Sequence, residues 1–305
     1  MTDVYRFERY KAADQLGEDG GRVPGAERGR YLASAGLAAA VNTSLAAEQP
    51  LLVAGAPGTG KSTLADSIAA QLGLGEVLRY QTRSDSTHRD ALYRFDNLRR
   101  FYDAHHRRED AELPATEYRT FEALGEAIQH ASKGGEPRVV LIDEVDKAPR
   151  DFPNGLLLEL EKMEFSIPET KEYYKAPQAR RPIVILTTNS ERQLPEPFLR
   201  RCVFHYIDFP GPTRLQQILR ERLNLDDALI VAAVERFAEL LETYRERLDK
   251  PPATGELLKW VQVLHRAGKS ADVIRNTPLP QLPSLGSLLK TQKDMNEVAA
   301  SVHEP

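Results

Sequence analysis

Lys61, Ser62 and Thr63 follow three closely spaced glycines in the stretch PLLVAGAPGTGKST, residues 50–63. The spacing Gly-x4-Gly-Lys-Ser, from Gly55 to Ser62, is that of a phosphate-binding P-loop. Glycine freedom lets the backbone of Gly55, Ala56, Pro57, Gly58, Thr59 and Gly60 turn tightly and bring N–H groups to phosphate oxygens. A helix opening at Lys61-Ser62-Thr63 would point its positive end at the same anion. The Lys61 ammonium would then serve the β- and γ-phosphates, and the Ser62 hydroxyl would ligate Mg2+. An ordinary Gly-rich strand-to-helix turn is the plainer reading. Against it, the apolar run Leu51–Ala54 precedes the loop, and Leu64, Ile68 and Leu72 follow at helical spacing.

A second chemical signal lies at 138–147, RVVLIDEVDK. Four apolar residues read as a buried parallel strand that ends in two carboxylates, Asp143 and Glu144. Ligand crevices of open α/β sheets lie at such strand ends. Asp143 would hold Mg2+ through water, and Glu144 would polarise an attacking water. A third apolar run, PIVILTTN at 182–189, ends in a polar triplet. Beside the acidic strand, it would bring Asn189 to the γ-phosphate, although Asn also favours turns for its own sake. Arg200 and Arg201 come after a short helical turn and before a fifth strand, 203–209. They form either a solvated corner or, in an oligomer, a cation that reaches a neighbour's phosphate.

The elements that must position these groups follow from periodicity. Residues 1–30 are polar and Gly-rich and read as a flexible lead-in packed near Phe7 and Tyr10. A helix is expected over 31–47, from Leu37, Val41 and Leu45, then a strand over 77–82 and a helix over 116–132. An insert, about 84–115, separates those last two. Residues 86–110 carry six arginines against five acids, a balance that favours a protein-facing insert over a nucleic-acid surface. His105 and His106 read as a solvated pair, with no third metal ligand nearby. Residues 152–160 suggest a short helix, and about 164–181 a hairpin. Pro210-Gly211-Pro212 divides this α/β core, 31–210, from a helical domain, 211–305. There, stripes predict helices from Leu215 and from Leu229, a third capped by Thr254, and a last one near 284–300.

The bulk numbers set outer limits. The chain has 305 residues, a formal net charge of −4 and 41% hydrophobic residues, enough for one large or two modest cores. Near-neutral charge gives no electrostatic case for broad binding to nucleic acid or anionic membrane. The single cysteine, Cys202, excludes an intrachain disulfide framework and any multi-Cys zinc site. No apolar run approaches a membrane span and no apolar signal core opens the chain, so a cytoplasmic protein is expected.

Taken together, GAPGTGKSTLA, TRSDSTHRDALYRFDNLRRF, LIDEVDKAPRDFPN, MEFSIPET, TTN and LPEPFLRRCVFHYIDFP resemble an AAA+ ATPase, most closely the MoxR-type branch. The resemblance spans about 31–300. It implies an α/β P-loop fold, with a five-stranded parallel sheet in the order 5-1-4-3-2. It also implies an insert before the second core helix, a hairpin before the fourth strand, and a C-terminal all-helical lid. By the same likeness Asn189 is a sensor and Arg200 or Arg201, with Arg201 preferred, is a trans-acting finger. ATP and Mg2+ are the implied cofactors. A homo-oligomeric ring, a hexamer in most such proteins, is implied too, with a protein client and a von Willebrand factor A domain protein as partners. One departure stands out. The third lid helix, where many AAA+ proteins carry a phosphate-sensing arginine, begins PPATGELLKW, with Lys259 about a turn later. That leaves open a nucleotide-dependent switch or scaffold with slow hydrolysis, and more remotely a DNA-directed machine.

Overall fold

The computed structural model describes residues 10–15, 31–106 and 114–300. Phe7 with most of the lead-in, residues 107–113 of the insert, and 301–305 lie outside the described residues. Among the described residues two compact units separate. One holds 10–15, 33–55 and 61–207; the other holds 31–32, 56–60 and 208–300.

The first unit opens with α1 (Ala35–Ala47), β1 (Leu51–Gly55), α2 (Lys61–Leu72) and β2 (Leu78–Gln81). β3 (Tyr93–Phe95), α3 (Asn97–His106), β4 (Arg119–Phe121), α4 (Ala123–Ser132) and β5 (Val139–Asp143) follow. Next come α5 (Asp151–Gly155), α6 (Leu157–Lys162), β6 (Glu164–Ile167), β7 (Glu172–Lys175) and β8 (Ile183–Thr188), and the unit closes with α7 (Glu196–Leu199) and β9 (Val203–Ile207).

Five strands form one parallel sheet in the order β2-β5-β8-β1-β9. The chain numbering differs from the expected 5-1-4-3-2 because β3-β4 and β6-β7 form two small antiparallel sheets of their own. Counted among themselves, the five read 2-3-4-1-5, which is the expected order taken from the other edge. Every residue of β1 and β8 is buried, as are the first four of β5. Continuous apolar runs such as VVLI can be buried on both faces only where helices cover both sides of a sheet. Leu52, Val140, Ile142, Val184 and Leu186 therefore share one core with Leu124, Ile128 and Phe152 from the helices.

Three expectations for this unit change. The helix expected from residue 31 starts at Ala35, because Ser34 caps it by accepting the Leu37 N–H at 3.2 Å. The helix expected over 116–132 begins instead as a 3-10 turn and a three-residue strand. Arg119–Phe121 pair with β3, Tyr93 facing Phe121, and only Ala123–Ser132 are helical. The helix expected over 152–160 is two pieces, α5 and α6, divided at Leu156. Among the described residues the insert thus contains a strand, a helix and a returning strand, and it reaches Phe121 rather than ending at 115. Of the lead-in, Tyr10 is buried; its hydroxyl and that of Ser67 hydrogen-bond at 2.9 Å.

The second unit contains α8 (Pro212–Arg222), α9 (Asp227–Tyr244), α10 (Thr254–Arg266), α11 (Ala271–Asn276) and α12 (Gln292–Ala300). Phe237, Leu240, Leu257, Val261, Leu264, Leu288 and Val298 fill its core around Trp260. The Trp260 indole is fully buried and donates to the Pro283 carbonyl at 2.7 Å, so burial leaves no polar atom unpaired. The α10 cap is Ala253, and Thr254 is the first helical residue, its buried hydroxyl without a hydrogen-bond partner among the described residues. The last helix begins at Gln292, not near 284, where Ser284 takes a left-handed backbone (φ 57°) and a short 3-10 turn follows. No helix among the described residues is long and apolar enough to cross a membrane.

Candidate functional site

The site is built on the carboxyl ends of β1, β5 and β8, which the parallel register brings side by side. β1 ends at Gly55 and runs into the glycine loop. Gly58 (φ 75°) and Gly60 (φ 89°) both sit in the left-handed region. A Cβ on Gly60 would also stand 3.2 Å from the Tyr31 ring, so glycine is required there twice over.

Lys61 and Ser62 open α2. Lys61 is only 7% exposed, and its ammonium donates to the Gly55 carbonyl at 2.8 Å, drawn back onto the loop that it follows. Burial lowers the Lys61 pKa from the usual lysine range, opposed by the nearby carboxylates of Asp143, then Asp146 and Glu144. The Ser62 hydroxyl lies 2.9 Å from each oxygen of Asp143 and donates to that carboxylate. Sequence reasoning placed these two residues on one metal ion, and the fold brings them together across 81 positions of chain.

Asp143 and Glu144 are held by a residue that the sequence reading passed over. The Thr187 hydroxyl, fully buried near the end of β8, donates to Asp143 Oδ1 and accepts the Glu144 N–H at 2.9 Å. Glu144 itself takes a left-handed backbone (φ 57°), which turns its side chain out of the strand alternation. Three donors meet its carboxylate. Gln81 Nε2 (2.8 Å) and Lys147 Nζ (2.6 Å) reach Oε2, and Asn189 Nδ2 (3.2 Å) reaches Oε1. The hydrogen bond to Glu144 raises the Lys147 pKa. Asn189 therefore stands beside the acidic strand tip, against Glu144.

The residues present suit a triphosphate with a hard divalent cation. A serine hydroxyl and an aspartate offer oxygen ligands, and one buried ammonium offers positive charge. No cluster of three or more His, Cys, Asp or Glu that could cage a metal exists among the described residues. Ligation by two side chains, with phosphate and water completing the shell, is the usual way to bind Mg2+.

Arg200 and Arg201 lie elsewhere. They precede β9, whose parallel register with β1 runs from Leu51 beside Val203 to Gly55 beside Ile207. Four steps of about 3.3 Å put Val203 about 13 Å from the loop end of the sheet, and Arg201 precedes Val203 in a turn at the opposite end, beyond the reach of its own side chain. Arg200 pairs with Glu196, and both are largely exposed. Arg201 donates to Glu161 at 3.0 Å and to the Pro197 carbonyl at 3.2 Å. Next to it, the Cys202 thiol donates to the Phe198 carbonyl at 3.4 Å, and burial pushes its pKa up to about 12.

Gln81, Asp146, Lys147 and Thr187 are the members that sequence reasoning missed. Two had a signal: Lys147 follows Glu144 by three residues, and Thr187 heads the polar triplet that ends β8. Residues 50–202, half of the chain, match the family model described as AAA domain (dynein-related subfamily). No curated protein matches the chain.

Proposed function

Because the chain belongs to the dynein-related subfamily of AAA domains, a family of nucleotide-dependent ATPases, we propose that it hydrolyses ATP with Mg2+ to remodel a protein partner. One observation carries this reading: Ser62 donates to Asp143 and Asn189 to the adjoining Glu144, while the Lys61 ammonium beside them is tied to Gly55. Mg2+ would supply a Lewis acid that draws charge from the phosphate oxygens. Lys61 neutralises the phosphates, Ser62 and Asp143 hold the cation, Glu144 accepts the proton of the attacking water, and Asn189 orients that water. Gly55 to Thr63 form the nucleotide cradle.

The finer reading is a MoxR-type machine: a homo-oligomeric ring, hexameric in form, with 208–300 acting as its lid. Its support is the motif set in the sequence and the position of Arg200 and Arg201, which suits service to a neighbouring copy. A protein client, joined by a von Willebrand factor A domain protein, is the partner that the likeness points to.

Glu144→Gln tests the chemistry. The variant is expected to bind a fluorescent ATP analogue within about twofold of the parent and to lose turnover by at least a hundredfold. Turnover that survives the change removes Glu144 from the role. Light scattering with and without ATP tests assembly, and a particle that stays monomeric with ATP at micromolar protein ends the ring reading.

A switch with slow hydrolysis is favoured by one observation, the three donors that occupy the Glu144 carboxylate. On that reading Glu144→Gln keeps full control of a partner. On the remodelling reading it abolishes that control.

A further inference from the structure

We propose that Asp146 is the positioning residue of this site: its buried carboxylate fixes the turn after β8 and thereby sets the Asn189 amide against Glu144. The proposal rests on the ATPase reading for its kinetic consequence and on geometry alone for its structural one.

Asp146 lies in the short 3-10 turn Val145–Lys147 that follows Glu144 and is only 2% exposed. A carboxylate buried to that degree is costly unless hydrogen bonds compensate it. Its Oδ2 accepts two backbone N–H groups, from Asn189 at 3.2 Å and from Glu191 at 3.0 Å. Both donors belong to the segment that leaves β8, more than forty positions further along the chain. Oδ1 has no hydrogen-bond partner among the described residues, so those two N–H groups are the hydrogen bonds that offset the burial.

The turn needs holding. Ser190, between the two donors, takes a left-handed backbone (φ 61°) that a non-glycine residue rarely adopts. Its own N–H is taken by the Thr188 hydroxyl at 2.9 Å. Asp146 grips the segment on either side of Ser190, and Thr188 grips it in the middle. All three N–H groups of residues 189–191 therefore end on side chains rather than on the sheet. With the backbone so fixed, Asn189 Nδ2 comes within 3.2 Å of Glu144 Oε1.

The alternative is that Asp146 serves the site through its charge, as a third carboxylate near Lys61. Two substitutions separate the possibilities. Asp146→Asn keeps an oxygen that can accept the two N–H groups and removes the charge. Asp146→Ala removes both.

Positioning predicts that Asp146→Ala lowers kcat 10- to 100-fold with KM, and the affinity for ADP, within about twofold of the parent. Asp146→Asn should keep kcat within about threefold. The loss in Asp146→Ala should vanish in an Asn189→Ala background, because the two residues act through one contact. Hydrogen exchange gives the readout that needs no turnover. In Asp146→Ala the amides of Asn189 and Glu191 should exchange at least tenfold faster, while those of Ile185 and Leu186 in the sheet keep their protection. Unchanged exchange at Asn189 and Glu191 overturns the proposal, and so does an Asp146→Asn variant as impaired as Asp146→Ala. Uniform loss of protection would assign Asp146 to folding alone. A parent protein without ATP turnover would defeat the ATPase reading, and the exchange data would still decide the positioning.

Discussion

Thr187→Val is the most searching perturbation, because one hydroxyl supports both acids of the site. Valine matches threonine in shape and puts a methyl where the hydroxyl was. The Glu144 N–H loses its acceptor, at a cost of about 1 kcal/mol or more, and Asp143 loses a hydrogen bond to a charged group, worth about 1.5–3 kcal/mol. The added methyl returns about 0.8 kcal/mol at this fully buried position. The net loss is therefore about 2–3 kcal/mol, or about 5–10 °C in the transition of an α/β unit of this size. Thr187→Ser is the control. It keeps the hydroxyl and gives up one buried methyl, so it should cost about 1 kcal/mol. Calorimetry on the three proteins decides. A valine variant within about 0.5 kcal/mol of the parent, or more stable than the serine variant, refutes the bridging role.

Lys61→Met should abolish nucleotide binding and leave a pH signature in stability. The folded-state pKa of Lys61 is lowered by burial, so the folded protein resists the charge that the unfolded chain carries freely. That cost is full at neutral pH and disappears as pH rises through the lowered value toward 10.5. The parent should therefore gain on the Met variant in urea unfolding between pH 7 and pH 10, and a flat or opposite trend would sink the argument. Gly125→Ala should lower Tm by several degrees, even though alanine favours helices by about 1 kcal/mol. Its Cβ would fall 1.9 Å from the Leu92 carbonyl oxygen, which already accepts the Glu122 N–H. An unchanged Tm would show that α4 and the insert are loosely packed there.

What could be read in the sequence was local. The glycine loop, the VVLID strand and the PIVILTT strand each announce themselves within ten residues, because their patterns are set by backbone torsion and by burial on both faces. What escaped reading was assembled by register. Gln81 reaches Glu144 because β2 lies beside β5, and Thr187 reaches Asp143 because β5 lies beside β8. No spacing along the chain encodes either pairing. The strand at 119–121 was hidden for a related reason. Phe121, Leu124 and Ile128 keep helical spacing across the boundary, while the pairing of Arg94 with Thr120 decides the backbone. Thr254 shows the limit of cap statistics, since a good capping residue stands one position inside its helix.

Cys202 adjoins Arg201, and its consequence is practical. With its pKa at about 12 it carries about a thousandfold less thiolate than an ordinary cysteine, so maleimides and mild oxidants should pass it by while the corner stays packed. It is also the sole sulfhydryl in the chain. Any loosening of the stretch from Glu196 to Val203 would switch on alkylation at that one atom. A mass spectrometer could thus time the release of the arginine corner without a foreign label being engineered into the protein.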